Sequence, residues 1–187
     1  TILVKRGCNV GLLNKEGTSI SAPSPDVEFR IDKTKDIPIL PDFSNKREID
    51  VKYPLLSPHA YAHIHWDENE KEVMYEIIEP PLNENEKKIL TSLEKGIEEL
   101  INISFINIKE ESAVISYLEK NAKVLLSELG IKLPRDVFMK LMYYIYRDFV
   151  GLNKIEAMMH DYYIEDIECN GVNTPLYIVH RKYRNLK

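Results

Sequence analysis

The basic run near the end of the chain contains the side chains best suited to binding a ligand. His180, Arg181, Lys182 and Arg184 lie within residues 180–187, which contain no acidic residue. Arginine carries a planar fork of charged donors that matches phosphate oxygens. We therefore predict that Arg181 and Arg184 contact a phosphate group. The alternative is a solvated strand end, whose arginines pair with acidic side chains on the neighbouring strand.

Three histidines in the pattern H-x-x-x-H-x-H form a second candidate site. His63 and His65 share one face if they lie on a strand, and this spacing can chelate a metal ion. His59 or the carboxylate of Asp67 could supply a third ligand. However, His59 follows Pro58 in a predicted loop, and no cysteine lies nearby. We therefore predict no metal site, and we interpret these residues as half-exposed histidines of a hairpin.

Two pairs of adjacent charged residues are predicted to have structural or interface roles. Arg147 and Asp148 lie near the predicted end of a helix, where neighbours point about 100° apart and are not expected to pair with each other. Each is expected to anchor the turn at Gly151 or to pair across an interface. Glu165 and Asp166 are neighbours on a predicted strand, so their side chains face opposite sides and cannot act together on one substrate atom.

Composition excludes several classes of function. The formal net charge of −5 argues against a broad nucleic-acid or membrane binder. Cys8 and Cys169 stand far apart, as expected in a reduced compartment. No apolar run approaches the ~18 residues of a membrane span, so we expect a cytoplasmic protein. Because of its negative net charge, we also expect it to bind no nucleic acid. The phosphate-binding pattern G-x-x-x-x-G-K-[S/T] is absent, so this chain alone is not expected to hydrolyse a nucleotide.

Three amphipathic helices are predicted in the middle of the chain. Asn83 and Glu86 form an N-cap signature for a helix that extends to about residue 101. A second helix is predicted over 110–129, with Gly130 as its stop. A third begins at Pro134 and ends at about residue 150, before Gly151. Short connections between such helices favour a three-helix bundle.

Two β-hairpins are predicted to flank the helices, which makes the fold α+β. Apolar-rich runs at 61–66 and 73–78 are separated by polar turn residues, and runs at 164–169 and 176–180 are joined by Asn170-Gly171. Because an isolated hairpin is marginal in water, the second is expected to begin a small mixed sheet that continues beyond Lys187.

The chain is predicted to have three parts. Residues 1–52 form a loop-rich extension with short extended pieces at 2–4, 27–31 and 37–40. Residues 53–150 hold the hairpin and the three-helix bundle, and residues 151–187 start an α/β subdomain. The acidic stretch over 67–99 is typical of a solvated face. The alternative is a docking surface on a free-standing protein-interaction module.

Several short sequence motifs, in a fixed order, resemble those of a known family. From about residue 53 onwards the chain resembles the archaeal type II/IV secretion ATPases, which include the archaellum motor and the type IV pilus assembly ATPases. Asn153 stands where a glycine is common in that family, and Cys169-Asn170 replaces a more usual polar pair. The residues and segments that match are Arg147-Asp148-Phe149, Gly151, Ile155, Met158-Met159, Asp161, residues 164–167, Gly171 and residues 177–183.

The resemblance implies a role as the amino-terminal domain of a hexameric ATPase. The phosphate loop, ATP and Mg²⁺ would then belong to the full-length protein, with its core beyond Lys187, and this chain alone would carry no cofactor. In such ATPases, arginines of the amino-terminal domain approach the γ-phosphate, a role the resemblance gives to Arg181 and Arg184. The implied partners are other copies of the chain, a polytopic membrane platform protein and accessory assembly factors, at the inner face of the cell membrane.

Overall fold

The protein contains three α-helices and seven strands within the residues that the structure describes. The structure is a computed structural model and describes residues 28–33, 36–104 and 110–187. The elements in chain order are β1 (Asp32–Lys33), β2 (Asp50–Ser57), β3 (Ala60–Asp67), β4 (Glu72–Ile78), α1 (Glu84–Ser104), α2 (Glu111–Glu128), α3 (Arg135–Phe149), β5 (Ile164–Cys169), β6 (Leu176–His180) and β7 (Arg184–Leu186). The predicted α+β fold is confirmed.

The first sheet is an antiparallel meander in the order β1-β2-β3-β4. The predicted hairpin is the β3–β4 pair, in register from Tyr61 opposite Ile78 to Asp67 opposite Glu72. β2 was not predicted. It contains Pro54, and the β2–β3 register shifts between Pro54 and Leu56. Of the expected extended pieces, residues 37–40 form no strand, β1 lies just after the piece expected at 27–31, and residues 2–4 lie outside the described part.

The three helices begin and end where their local signals place them. The side chain of Asn83 accepts from the Glu86 backbone at 2.9 Å, and Glu86 accepts from the Asn83 backbone at 2.9 Å, so the predicted capping box of α1 is present. After α2, Gly130 adopts a φ of 66°, which a residue with a side chain rarely tolerates. Pro134 precedes the first residue of α3 and serves as its N-cap.

One hydrophobic core joins the helices to the first sheet. The side chains of Leu93, Ile97, Leu118, Leu141 and Ile145 have no exposed surface, and they belong to the same cluster as the inward-facing residues of β2 and β3. The apolar face of α2 differs from the expected stripe, because Ala122 and Leu126 are buried where Leu125 and Leu129 were expected. None of the described helices combines the length and the apolar character needed to cross a membrane.

The described part of the predicted extension packs against this core. Phe29, Leu40 and Ile49 are buried. The backbone N–H groups of Glu28 and Phe29 donate to the buried carboxylate of Glu119 on α2, at 3.1 and 3.0 Å. β2 begins at Asp50, so it crosses the boundary placed after residue 52. Residues 28–33 and 36–52 are thus attached to the helical part by buried contacts.

The second sheet is antiparallel, in the order β5-β6-β7, where a mixed sheet was expected. β5 and β6 have the predicted bounds, and residues 170–175 connect them. The third strand, β7, was not predicted. Backbone hydrogen bonds from Lys187 to Val73 O (3.1 Å) and from Tyr75 N to Lys187 O (2.8 Å) join the end of β7 to β4. The hairpin is therefore stabilised by pairing with the first sheet.

Candidate functional site

A buried polar network lies where the two sheets meet. The Asp161 carboxylate follows a short 3-10 helix, Met158–His160, and is buried. Its Oδ2 accepts hydrogen bonds from the hydroxyls of Tyr53 on β2 (2.6 Å) and Tyr75 on β4 (2.8 Å). Its Oδ1 accepts from the Tyr163 backbone at 2.8 Å. One side chain thus joins two strands of the first sheet to the segment that leads into β5.

His180 extends the network, and its tautomer follows from its partners. Its Nδ1 accepts from the backbone N–H groups of Lys182 (3.2 Å) and Tyr183 (3.1 Å). In the neutral ring the proton is therefore on Nε2, which lies 3.2 Å from the Tyr53 hydroxyl. Since that hydroxyl donates to Asp161, it accepts from His180. The donor order runs from His180 to Tyr53 to Asp161.

Burial sets the protonation of this network. It lowers the pKa of His180 to about 4, against a smaller opposing effect of Asp161. Burial, followed by the charge of Asp161, raises the pKa values of Tyr53 and Tyr75 far above the usual range for tyrosine. The ring is therefore neutral, and both phenols keep their protons, at neutral pH.

A surface cavity of about 320 Å³ opens beside the network. Asp161 and Tyr53 lie in its wall, together with Asp36, Ile37, Pro38, Pro54, Leu55, Met159, His160 and Tyr162. Both nitrogens of His180 are already engaged, and the Tyr53 hydroxyl both donates and accepts. This saturation favours a rigid joint between the sheets over general acid–base chemistry.

The basic run divides into one engaged lysine and two exposed arginines. Lys182 is 2.9 Å from the Asp42 carboxylate and also donates to the Leu40 carbonyl, so it anchors the extension. The Arg181 guanidinium lies 4.6 Å from the centre of the Tyr162 ring, and its Nε is 3.5 Å from Glu165. The ion pair expected as the alternative interpretation is therefore present.

Arg184 occupies an unusual backbone position at the start of β7. It is exposed, lies opposite His180 in the register, and has a φ of 67°. Its left-handed backbone follows the tight turn at residues 181–183, whose first amide donates to Tyr163 O at 2.8 Å. Both predicted arginines therefore lie at one exposed end of the second sheet.

The expectation that Arg147 and Asp148 do not pair with each other is wrong. Arg147 donates to both carboxylate oxygens of Asp148, at 2.7 and 3.0 Å, and to Glu79 after β4, at 2.8 Å. Cβ directions on a helix diverge, but the long arginine side chain folds back at the end of α3. Tyr143 donates to the same Glu79 carboxylate at 2.7 Å. The pair anchors α3 to the first sheet, the predicted structural role.

Gly151 lies against the carboxylate of a residue that follows it. A Cβ at this position would lie 2.6 Å from the Glu156 carboxyl carbon. Glu156 is buried, accepts from the Leu152 backbone at 2.7 Å, and is 2.8 Å from His160. The predicted turn glycine therefore makes room for a buried carboxylate that closes the loop after α3.

Glu165 and Asp166 are both exposed, although alternation along a strand places neighbours on opposite faces. The β5–β6 register shifts between Ile164 and Asp166, and this irregularity interrupts the alternation. Asp166 accepts from the Ile167 backbone at 2.9 Å, while Glu165 lies beside Arg181. The two carboxylates are occupied separately.

The first sheet separates His59 from the other two histidines. His59 stacks between Phe29 and Tyr143, with ring centres 5.5 and 5.4 Å away, and burial lowers its pKa. His59 is therefore not placed to serve as a third metal ligand beside His63 and His65. Those two stack on each other, with ring centres 4.5 Å apart, on the outward face of β3.

Sequence reasoning missed the network around Asp161. Tyr53 and Asp161 are 108 positions apart, and no local spacing connects them. The available signal was a tyrosine at an inward-facing strand position, because a buried phenol needs a hydrogen-bond partner. The sequence contained that signal at Tyr53 and Tyr75, but not the identity of the partner.

Comparison with protein-family models finds no match. The chain is similar to the uncharacterized protein MJ1288 of Methanocaldococcus jannaschii, with 36% identity over 124 residues, or 66% of this chain. These residues cover 49% of the relative, so the chain spans about half the length of the protein it matches.

Proposed function

We propose that the chain is the amino-terminal domain of a hexameric ATPase that drives assembly of an archaellum, a type IV pilus or a secretion machine. The observation that carries this proposal is the position of Arg181 and Arg184, two exposed arginines on a sheet end that is fixed to the core. The short sequence motifs that resemble those of secretion ATPases, and that occur in the same order, also support it. ATP and Mg²⁺ would belong to the full-length protein, and this domain would not perform chemistry alone.

The two arginines are suited to contact a phosphate from outside the catalytic core. The Arg181 side chain is 44% exposed, and its contact with Glu165 at 3.5 Å is longer than a tight ion pair. Such an exposed pair contributes little stability, so exchanging it for a phosphate costs little. An arginine donated from a neighbouring domain can stabilise the charge that develops in phosphoryl transfer.

The buried network would make the domain rigid enough to transmit motion. Asp161 ties β2 and β4 to the segment before β5, and His180 ties β6 to the same carboxylate through Tyr53. A force on the arginines would therefore move both sheets together. ATP binding would draw the domain toward the core, and release would let it rotate back.

The test is ATP turnover by the longer protein that this proposal requires, with Arg181→Ala and Arg184→Ala singly and together. We expect a loss of about 10³-fold or more in the double variant, the scale of an arginine finger. Arg135→Ala is the matched control, because Arg135 at the start of α3 is exposed and pairs with Glu28 of the extension. Turnover that is unchanged in the double variant would overturn the role of the arginines.

The proposal places the protein in the cytoplasm, attached peripherally to the inner face of the membrane through a polytopic platform protein and accessory factors.

An acidic patch formed by Glu94 and Glu98 on α1 favours a second candidate, a protein-interaction module with an acidic docking face. Glu94 on α1 has a raised pKa, caused by burial and then by the negative charge of Asp148, with Glu98 adding to it.

A basic probe distinguishes the docking function. We expect a fluorescent oligolysine peptide to bind the chain at low salt and to be released at high salt. Glu94→Gln with Glu98→Gln should weaken binding, whereas Glu128→Gln, an exposed change at the end of α2, should not. If the wild-type chain, the double variant and Glu128→Gln bind the peptide equally well, docking through this patch is refuted.

A further inference from the structure

The outward face of the first sheet brings two imidazoles and two carboxylates together. Alternation along β3 buries Ala62 and Ile64 and turns His63 and His65 outward. On β4, Glu76 lies directly opposite His63. On β2, Asp50 lies directly opposite His65. Three neighbouring strands therefore present nitrogen and oxygen donors at one place.

The donor atoms are close enough to share an ion. His63, His65 and Glu76 each offer one ligand atom, and these atoms lie within 4.8 Å of one another. Ligands of a tetrahedral zinc ion are about 3.4 Å apart, given metal–ligand distances of about 2.1 Å. The most distant pair of donor atoms must therefore approach by up to about 1.4 Å. The Glu76 side chain is 56% exposed and therefore free to move inward.

Asp50 gives His63 the tautomer that a metal ligand needs. The Asp50 carboxylate is 2.8 Å from His63 Nε2, so in the neutral ring that nitrogen carries the proton and donates it. The lone pair is then on Nδ1, which faces Glu76 at 4.0 Å. A carboxylate that orients a ligating histidine through its second nitrogen is the usual outer partner in zinc sites.

His65 supplies an independent indication. Its Nδ1 is buried and has no hydrogen-bond partner among the described residues. A buried polar atom without a hydrogen-bond partner is unfavourable and rare in folded proteins, so this atom needs an explanation. A bound cation would supply the missing partner.

We propose that His63, His65 and Glu76 bind a divalent transition-metal ion of the Zn²⁺ type, with Asp50 orienting His63. Two imidazoles and one carboxylate suit zinc and leave a fourth position for water. The nearby amine of Lys52 lies 5.1 Å from the Tyr61 ring centre, which holds its positive charge on that aromatic ring. This site does not depend on the proposed ATPase role.

Cobalt and zinc titrations of the whole chain test the site. Cys8 and Cys169 are first changed to serine, so that thiols do not compete for the metal. We expect one equivalent of Co²⁺ to give visible absorption bands, and one equivalent of Zn²⁺ to displace it and to raise the unfolding temperature. Calorimetry would give the affinity for zinc.

The variants separate ligands from their neighbours. We expect His65→Ala and Glu76→Gln each to weaken zinc binding by more than about 100-fold, and Asp50→Asn by about 10- to 100-fold, as for an outer partner. Glu128→Gln is the carboxylate control and should bind normally. Far-UV circular dichroism checks that each variant is folded.

Two outcomes would overturn the proposal. One is binding of less than one equivalent of Zn²⁺ by the cysteine-free chain. The other is a zinc affinity that stays within about threefold in the folded His65→Ala variant, because the ion would then be held elsewhere.

Discussion

Two buried tyrosines that share one acceptor provide a matched test of the network. Tyr53 and Tyr75 both donate to Asp161 Oδ2, at 2.6 and 2.8 Å, and both are buried. Only Tyr53 also accepts from His180, at 3.2 Å. Tyr75→Phe therefore removes one hydrogen bond, whereas Tyr53→Phe removes two and leaves His180 Nε2 buried without an acceptor.

The free energies follow from that difference. A hydrogen bond to a charged group is worth about 1.5–3 kcal/mol, so Tyr75→Phe should lower the free energy of unfolding by about 2 kcal/mol. A stranded buried donor costs about a further 1–3 kcal/mol, so Tyr53→Phe should lower it by about 3–5 kcal/mol. Phenylalanine retains the ring packing in both variants.

Urea unfolding at pH 7, followed by circular dichroism, measures both changes as shifts of the midpoint at constant slope. Tyr162→Phe is the control, because Tyr162 is 51% exposed, and its effect should stay within about 0.5 kcal/mol. If Tyr53→Phe costs no more than Tyr75→Phe, the assigned donor order is wrong, and His180 is not coupled to Asp161 through Tyr53.

Further predictions concern the other buried polar groups. The pKa of His180 falls from its usual 6.5 to about 4 on folding, so the unfolded chain binds the proton first, and stability is lost as pH drops from about 6.5 to 4. The free energy of unfolding should fall by up to about 3 kcal/mol over this pH range. In His180→Asn, the urea midpoints at pH 7 and pH 4.5 should differ less than they do in the wild-type chain. If the difference is the same in both proteins, groups other than His180 cause the pH dependence. Arg147→Ala should lower the free energy of unfolding in urea by about 2–3 kcal/mol, because it leaves the partly buried carboxylates of Glu79 and Asp148 without their cation, whereas Arg135→Ala should lower it by under about 0.5 kcal/mol. Equal effects would show that the Arg147 cluster adds no stability. Gly151→Ala should lower the free energy of unfolding by about 1–3 kcal/mol, because the methyl group meets the Glu156 carboxyl group, and a neutral result in thermal unfolding would mean that Glu156 moves aside freely.

Local signals predicted the helices well because the determining contacts are close in sequence. The capping box of Asn83 and Glu86 spans three residues and forms as expected. Gly130 marks the end of α2 for a similar reason, since its left-handed backbone depends mainly on its own lack of a side chain. The bounds of β5 and β6 were also predicted.

Contacts between distant segments could not be read in the same way. β2 contains Pro54, which disfavours a central strand, yet pairing with β3 on one side and the two residues of β1 on the other still forms it. The apolar stripe of α2 shifted to Ala122 and Leu126, because packing against the neighbouring helices selects the buried side.

The candidate sites show the same division between local and distant information. His63 and His65 were recognised as a pair because strand alternation is local. Glu76 became their neighbour only through the β3–β4 register. The pairing of Arg147 with Asp148 was missed because the prediction used Cβ directions, and a long flexible side chain does not follow them.

The irregularity in β5 bears on how the protein avoids aggregation. β5 is the outer strand of the second sheet among the described strands, and an outer strand offers unpaired backbone groups to any passing chain. Glu165, Asp166 and Glu168 are all exposed along it, and the register shift interrupts its regular edge. Charge and an irregular backbone are the two common means by which native sheets deter strand addition. These three carboxylates thus protect the open edge of the sheet against aggregation.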